Sequence, residues 1–223
     1  MLNIRSFFDV NYQTPLWFKE KNAEVKISRR ALLKSAAGAS AIAALPAKSW
    51  SPAPATELAQ ALKTDPWLTL NAVLDHLLPA SDSGPGARDI RALDYLYNVV
   101  TKQPTEQDEI EFIFKGVGWL NDFSNSQGGK PFIAQEQAEK EKLLRAISNS
   151  RAGENWLNTL LNYIFEAMLS PPVYGGNPEG VGWKWLEHKP GFPLPKKGKR
   201  YYELPGQKGI AVKVVAAKGN KKA

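Results

Sequence analysis

The two histidines are the first side chains in this sequence that could do chemistry. Asp75 precedes His76 and Glu187 precedes His188, so each histidine has an acidic neighbour for general acid–base catalysis. Neighbouring residues on a helix point in different directions, which makes both pairs weak catalytic candidates. No Gly-x-Ser-x-Gly elbow is present, and neither histidine has the spacing of a metal ligand. We interpret both as surface or capping histidines, and catalysis by the chain itself stays a minor alternative.

Cofactor motifs are the next candidates. The chain has no cysteine, which excludes iron–sulfur ligation, haem attachment through Cys-x-x-Cys-His and thiol nucleophiles. The triplet Gly116-Val117-Gly118 lacks the preceding strand and the third glycine of a dinucleotide fingerprint. It lies in an apolar helical stripe, so we interpret it as a close-packing point between helices. The sequence therefore predicts no catalytic residue, no cofactor and no metal in this chain.

A basic segment near the N-terminus predicts export. It is formed by Ser28, Arg29, Arg30, Leu32, Leu33 and Lys34 and runs into the weakly apolar residues 35–45. The arginine pair is typical of the signal that the twin-arginine translocase reads on already folded proteins. Residues 35–45 are too short for the roughly 20 apolar residues of a membrane span. We expect residues 1–55 to be a signal region, cut at Ala55 or Ala47; a lone basic amphipathic helix or an uncut anchor is the alternative.

Export in the folded state indicates that a chain has bound a cofactor or a partner in the cytoplasm. Since no cofactor motif was found, the sequence favours a partner. Net charge is +5 in residues 1–55, −7 in residues 56–188 and +9 in residues 189–223. An acidic body with a basic tail is not typical of a nucleic-acid binder. The tail could contact anionic lipid or an acidic partner surface, or simply be solvated.

Helical periodicity predicts an all-α fold. We expect a bundle of about five helices in residues 56–170, an extended and irregular arm in residues 171–193 and a basic tail in residues 194–223. The expected helices start at Asp65-Pro66, near Ile90, at a Thr105/Asp108 capping box, near Ile133 and near Trp156. The polar and glycine residues from Asn121 to Gly129 should end the third, and the apolar stripe of the fifth, which includes Phe165 and Leu169, should be core. A short strand is possible at residues 210–215.

The arm carries the second informative group of residues. These candidate partner-binding residues are Tyr174, Gly175, Gly176, Asn177, Trp183, Trp185, Pro190 and Gly191. Paired glycines permit positive φ and close approach of the backbone, and two tryptophans in irregular backbone are typical of an anchored contact surface. The alternative is an arm that folds back on its own bundle, with the tryptophans sealing the core. The residues alone leave both interpretations open.

These segments resemble the gluconate 2-dehydrogenase subunit 3 family over roughly residues 64–193. The resemblance lies in Tyr174-Gly175-Gly176-Asn177, Gly182-Trp183-Lys184, Pro190-Gly191, the upstream residues 78–82 and 84–87, and the arginine-pair leader. It implies the small subunit of a membrane-associated, flavin-dependent sugar or sugar-acid dehydrogenase, with no redox centre of its own. In such complexes a large subunit of the glucose–methanol–choline type binds FAD, and a multihaem cytochrome c passes electrons to quinone.

The resemblance also implies what the small subunit does. It is expected to wrap the flavoprotein, help it mature and carry it through the twin-arginine translocase, because the large subunit commonly lacks a signal. The expected location is the periplasm, at the inner membrane through the partner subunits. A free-standing periplasmic binding or scaffold protein with another partner is the alternative function.

Overall fold

The computed structural model describes residues 5–24, 59–191 and 194–204. Within these ranges the chain is helical and forms no strand, which confirms the all-α class. Its α-helices are α1 (Leu16–Glu24), α2 (Trp67–Leu77), α3 (Ala92–Lys102), α4 (Gln107–Gly128), α5 (Gln137–Ser148), α6 (Arg151–Leu169) and α7 (Val181–Trp185). Helices α2 to α6 are the five that the periodicity predicts. The arginine pair, both cleavage candidates and the possible strand lie outside the described residues.

The start of α2 agrees with its predicted cap. The Asp65 carboxylate accepts a hydrogen bond from the backbone N–H of Thr69 at 2.9 Å, which satisfies a donor that a helix start leaves free. Leu70, Val73 and Leu74 face the core. No helix in the described part of the chain is both long and apolar enough to cross a membrane.

Helix α4 differs from its prediction at its start. It begins after Glu106 without a side-chain cap, and Thr105 Oγ1 donates instead to the Val99 carbonyl at 2.9 Å, so the capping-box prediction is wrong. The helix ends at Gly128, inside the polar stretch from Asn121 to Gly129 that the sequence predicts for its end. Ser124 lies in this last part of the helix, where it is buried and its hydroxyl donates to the Lys130 carbonyl at 2.7 Å.

Helix α6 is the central element of the bundle. It packs against α2, α3, α4, α5 and α7. Its Trp156 is fully buried and donates from Nε1 to the Ile113 carbonyl of α4 at 3.0 Å. A Cβ on Gly116 would overlap this indole, which confirms close packing at Gly116, whereas Gly118 faces open space. The prediction is wrong for two residues of the α6 stripe: Phe165 is 54% exposed and Leu169 is 45% exposed, because both turn to the outer side of the helix.

An N-terminal segment also belongs to the packed core. Phe7 is 2% exposed, and its ring centroid lies 5.3 Å from that of Trp119 and 5.4 Å from that of Trp156. The ring of Trp17 in α1 meets Phe112 of α4 edge-on. The core therefore includes residues that precede the predicted export signal as well as residues that follow it.

Candidate partner-binding site

The arm does not leave the bundle as an extended chain. After α6 it forms two short 3-10 turns, Pro172–Tyr174 and Pro178–Gly180, and then α7. Gly175 has φ 105°, in the left-handed region, and a Cβ there would overlap the amide of Asn98. That amide donates to the Tyr174 carbonyl at 3.0 Å. The paired glycines thus provide the positive φ and the close approach that the sequence predicts.

Asn177 holds the two ends of the arm's turns together. It is fully buried, and its backbone N–H donates to the Ile90 carbonyl at 2.8 Å. Its side chain accepts from the Gly182 N–H at 2.8 Å and donates to the Ser170 carbonyl at 3.2 Å. These bonds join the end of α6 to the start of α7. Asn177 is therefore a positioning residue for the arm, since no atom of its side chain faces solvent.

The two tryptophans of the arm have different environments. Trp183 is 8% exposed and donates from Nε1 to the Leu169 carbonyl at 2.7 Å, which satisfies a carbonyl at the end of α6. Trp185 is 44% exposed, and its Nε1 donates to the Ser83 carbonyl at 2.6 Å. Trp183 thus has the position expected of a core-sealing residue, whereas Trp185 presents half of its ring to solvent.

An open apolar groove lies between the end of α6 and the arm. Its volume is about 390 Å³, and its lining residues are Leu169, Pro171, Trp183, His188, Pro190, Gly191, Leu194 and Pro195. Phe165 lies one turn before Leu169 on the same side of α6 and extends the apolar area beyond the groove. Exposed apolar area of this kind marks interaction sites more often than plain surface.

A later part of the predicted basic tail packs against the arm at Tyr174. Arg200 is buried and forms an ion pair with Glu203. The Tyr201 N–H donates to the Tyr174 hydroxyl at 3.1 Å, and the Tyr201 hydroxyl donates to Gln103 at 2.9 Å. Tyr201 and Tyr202 therefore cover part of Tyr174, one of the candidate partner-binding residues, and Tyr201 itself is 43% exposed.

The histidines are placed far from one another and have separate partners. His76 pairs with Glu141 of α5, while its neighbour Asp75 pairs with Arg88 at 2.6 Å, so the two adjacent side chains point apart. The His76 side chain is 11% exposed, which makes it a link between α2 and α5 rather than a surface histidine. His188 is exposed at the groove. Among the described residues, no group of three or more acidic residues and histidines could hold a metal ion.

A polar cluster, which the sequence did not suggest, lies between α1, α3, α4 and α6. The Tyr163 hydroxyl donates to Glu109 at 2.6 Å, and the Tyr95 hydroxyl donates to Glu166 at 3.0 Å. Burial raises the pKa of both tyrosines and of Glu166 above their usual ranges. Lys21 supplies positive charge and donates to Glu109 at 2.8 Å. The cluster thus places one cation, which is partly exposed, beside two carboxylates.

The structure therefore divides the predicted site residues into two groups. Trp183, Pro190 and Gly191 line the groove. Trp185 follows Trp183 by two residues, and its side chain is exposed. Gly175, Gly176 and Asn177 contact the bundle instead and shape the arm. The sequence did not identify Phe165, Leu169 and Leu194 as exposed residues of the site. For Phe165 and Leu169 the reason is that an apolar stripe does not show how much of the helix surface the neighbouring helices cover.

Comparison with known proteins gives one match. The model of the family described as gluconate 2-dehydrogenase subunit 3 matches residues 64–191, which include α2 to α7 and the arm up to the groove. No curated protein and no solved structure matches the chain. The matched range excludes the N-terminal segment and residues 194–204, although both pack against the bundle.

Proposed function

Because the chain belongs to the gluconate 2-dehydrogenase subunit 3 family, we propose that it is the non-catalytic small subunit of a periplasmic FAD-dependent dehydrogenase complex. The family implies membership of a multisubunit gluconate dehydrogenase complex. In this proposal the complex oxidises a sugar or sugar acid, and the chain helps its flavoprotein to mature and to pass through the twin-arginine translocase. The family match over residues 64–191 is the observation that carries the proposal.

The proposed partners divide the chemistry among them. A large subunit of the glucose–methanol–choline type holds FAD, a multihaem cytochrome c accepts the electrons, and the chain itself holds no cofactor. Its location is the periplasm, where the partner subunits attach it to the inner membrane. Nucleic acid is not a partner, since the body of the chain is acidic.

The groove supports the proposal as the place where the flavoprotein docks. A shallow open shape, with leucine and proline side chains beside polar surface, suits a protein interface better than an enclosed small-molecule site. Trp185, Phe165 and Leu169 add exposed apolar area nearby. The arm, fixed from beneath by Asn177, presents this area without ordering on binding, which lowers the entropic cost of association.

The export role is tested by changing the arginine pair. The chain and its flavoprotein are co-expressed with Arg29→Lys and Arg30→Lys together, and FAD-dependent activity is measured in periplasmic and cytoplasmic fractions. We expect the flavoprotein to stay in the cytoplasm, because the translocase reads the guanidinium pair on this chain alone. Lys26→Arg is the matched control, since it changes a basic residue of the same region outside the pair.

The outcome separates the proposal from its alternative. A flavoprotein that reaches the periplasm equally well with the paired variant rules out the escort role. A chain that reaches the periplasm without any flavoprotein bound, in cells that make both, favours a free-standing binding or scaffold protein. Retention of both proteins by the paired variant, with normal export of the Lys26→Arg control, supports the escort role.

A further inference from the structure

The N-terminal segment, here residues 5–21, precedes the predicted export signal and would leave with it after a cut at Ala47 or Ala55. In the structure, however, this segment lies in a groove between α4 and α6. The groove side chains that it contacts are Glu109, Phe112, Trp119, Asn155, Trp156 and Tyr163. The segment is thus part of the folded subunit by its contacts, although its sequence position assigns it to a leader.

Aromatic packing is the first reason for the segment to stay. Phe7 is almost completely buried between two tryptophans, one from α4 and one from α6. Tyr12 is 9% exposed and stacks on Phe112, with 6.2 Å between the ring centroids. Loss of the segment would open the aromatic side of the bundle core to water, and such exposure is unfavourable in proportion to its apolar area.

Polar pairing is the second reason. Lys21 Nζ lies 2.8 Å from the carboxylate of Glu109, which is only 4% exposed. Removing one partner of a buried ion pair leaves a charge that neither water nor the opposite charge compensates. The buried Asn155 amide likewise donates to the Tyr12 hydroxyl at 2.9 Å and to Thr14 at 3.2 Å. Departure of the segment would therefore leave a carboxylate and an amide without these partners.

We propose that residues 5–21 are a permanent ligand of the α4–α6 groove and stay bound there after any cut between residues 25 and 58. The export signal would then lie in the sequence between two parts of one folded body. A cut at Ala47 or Ala55 would produce a subunit of two pieces held by packing. The occurrence of that cut rests on the proposed export, but the binding of the segment does not.

Mass spectrometry of the exported protein tests the inference. The subunit is purified from the periplasm under native conditions and digested with trypsin. The peptide Ser6–Lys19 is then quantified against the bundle peptide Gln103–Lys115 with labelled standards. We expect equal molar amounts of the two peptides, whether the chain is cut or intact. Absence of Ser6–Lys19 from a periplasmic sample that still contains the flavoprotein would overturn the inference and leave the proposed function standing.

A designed cut tests the binding without export. A specific protease site is inserted after Ala47, the purified chain is cut, and the products are separated by size exclusion. We expect Ser6–Lys19 and Gln103–Lys115 in the same fraction. Phe7→Ala combined with Lys21→Ala should release the segment, whereas Val10→Ala should retain it because that side chain is 95% exposed. Separation of the segment from the bundle in the chain with wild-type Phe7 and Lys21 would show the inference to be wrong.

Thermal unfolding gives a readout that requires no cut. Phe7→Ala in the intact chain should lower the unfolding midpoint by several degrees, and the Val10→Ala control should leave it unchanged. Equal midpoints for the two variants would contradict the inference, because the segment would then add nothing to the core. If neither protein reaches the periplasm, the proposed function fails while these two measurements still decide the inference.

Discussion

Replacing Trp183 or Trp185 by alanine tests which of the two tryptophans stabilises the fold of the arm against the bundle. A tryptophan side chain buries about 150–250 Å² when it is fully covered. At about 25 cal/mol per Å², burial of Trp183, which is 8% exposed, stabilises the subunit by about 3–6 kcal/mol. The same estimate for Trp185, which is 44% exposed, is about 2–3.5 kcal/mol. Both are upper values, since an unfolded chain already buries part of its apolar surface.

The assay is thermal unfolding of the isolated subunit followed by circular dichroism. A loss of 1 kcal/mol lowers the midpoint of a domain of this size by about 2–4 °C. Trp183→Ala should therefore lower the midpoint by about 6–24 °C, also because the Leu169 carbonyl loses its donor. Trp185→Ala should lower the midpoint by clearly less. If Trp185→Ala lowers the midpoint as much as Trp183→Ala or more, the interpretation of Trp183 as a core-sealing residue is refuted.

The same pair tests the contact with the flavoprotein. If the exposed ring of Trp185 is an anchor at the interface, Trp185→Ala should weaken binding by about 2 kcal/mol, as truncation of an aromatic hot spot does. That loss corresponds to roughly a thirtyfold higher Kd in isothermal titration with the purified flavoprotein. An unchanged Kd would remove Trp185 from the proposed interface.

Three further variants test the packing and the charges of the bundle. Gly116→Ala should lower the free energy of unfolding in guanidinium by about 1–3 kcal/mol, because the new methyl group overlaps an indole. Gly118→Ala, which faces open space, should raise it by about 0.5–1 kcal/mol. Burial raises the pKa of Glu166, so the folded state holds this proton more tightly and stability falls as pH rises from the ordinary glutamate pKa of 4.5 through the raised pKa. Glu166→Gln should therefore be more stable than wild type at neutral pH and equal to it below pH 4.5; the opposite order would contradict the assigned burial.

The sequence predicted the helices well because their apolar residues recur at a helical period. Asp65 before α2 is a local signal, and the structure confirms the helix start that it predicts. The sequence predicts the end of α4 only as a polar stretch, because Asn, Ser and Asp favour turns only where no tertiary contact competes. Here Ser124 is buried and bonds to Lys130, a contact that periodicity does not reveal.

Long-range contacts decide which apolar residues near the site are exposed and which are buried, and the sequence does not show these contacts. Phe165 and Leu169 continue the stripe of α6, yet α6 meets the bundle on a narrower face than the stripe suggests. The core position of Phe7 depends on contacts with residues more than a hundred positions later in the chain. The segment lies before an export motif, a position that is typical of a leader, so its place in the sequence does not predict that it fills a groove.

Residues 174–177, the motif of the arm, hold the arm in place more than they form a contact surface. Gly175 packs closely against α3, and the Asn177 side chain donates to a carbonyl at the end of α6. The side chains left for a partner are Trp185, Pro190 and those of α6 around Leu169, with Leu194 at the edge of the groove. Leu194 lies beyond the range that the family model matches. We therefore expect the motif to set the shape of the groove, and residues outside the motif to decide which flavoprotein fits it.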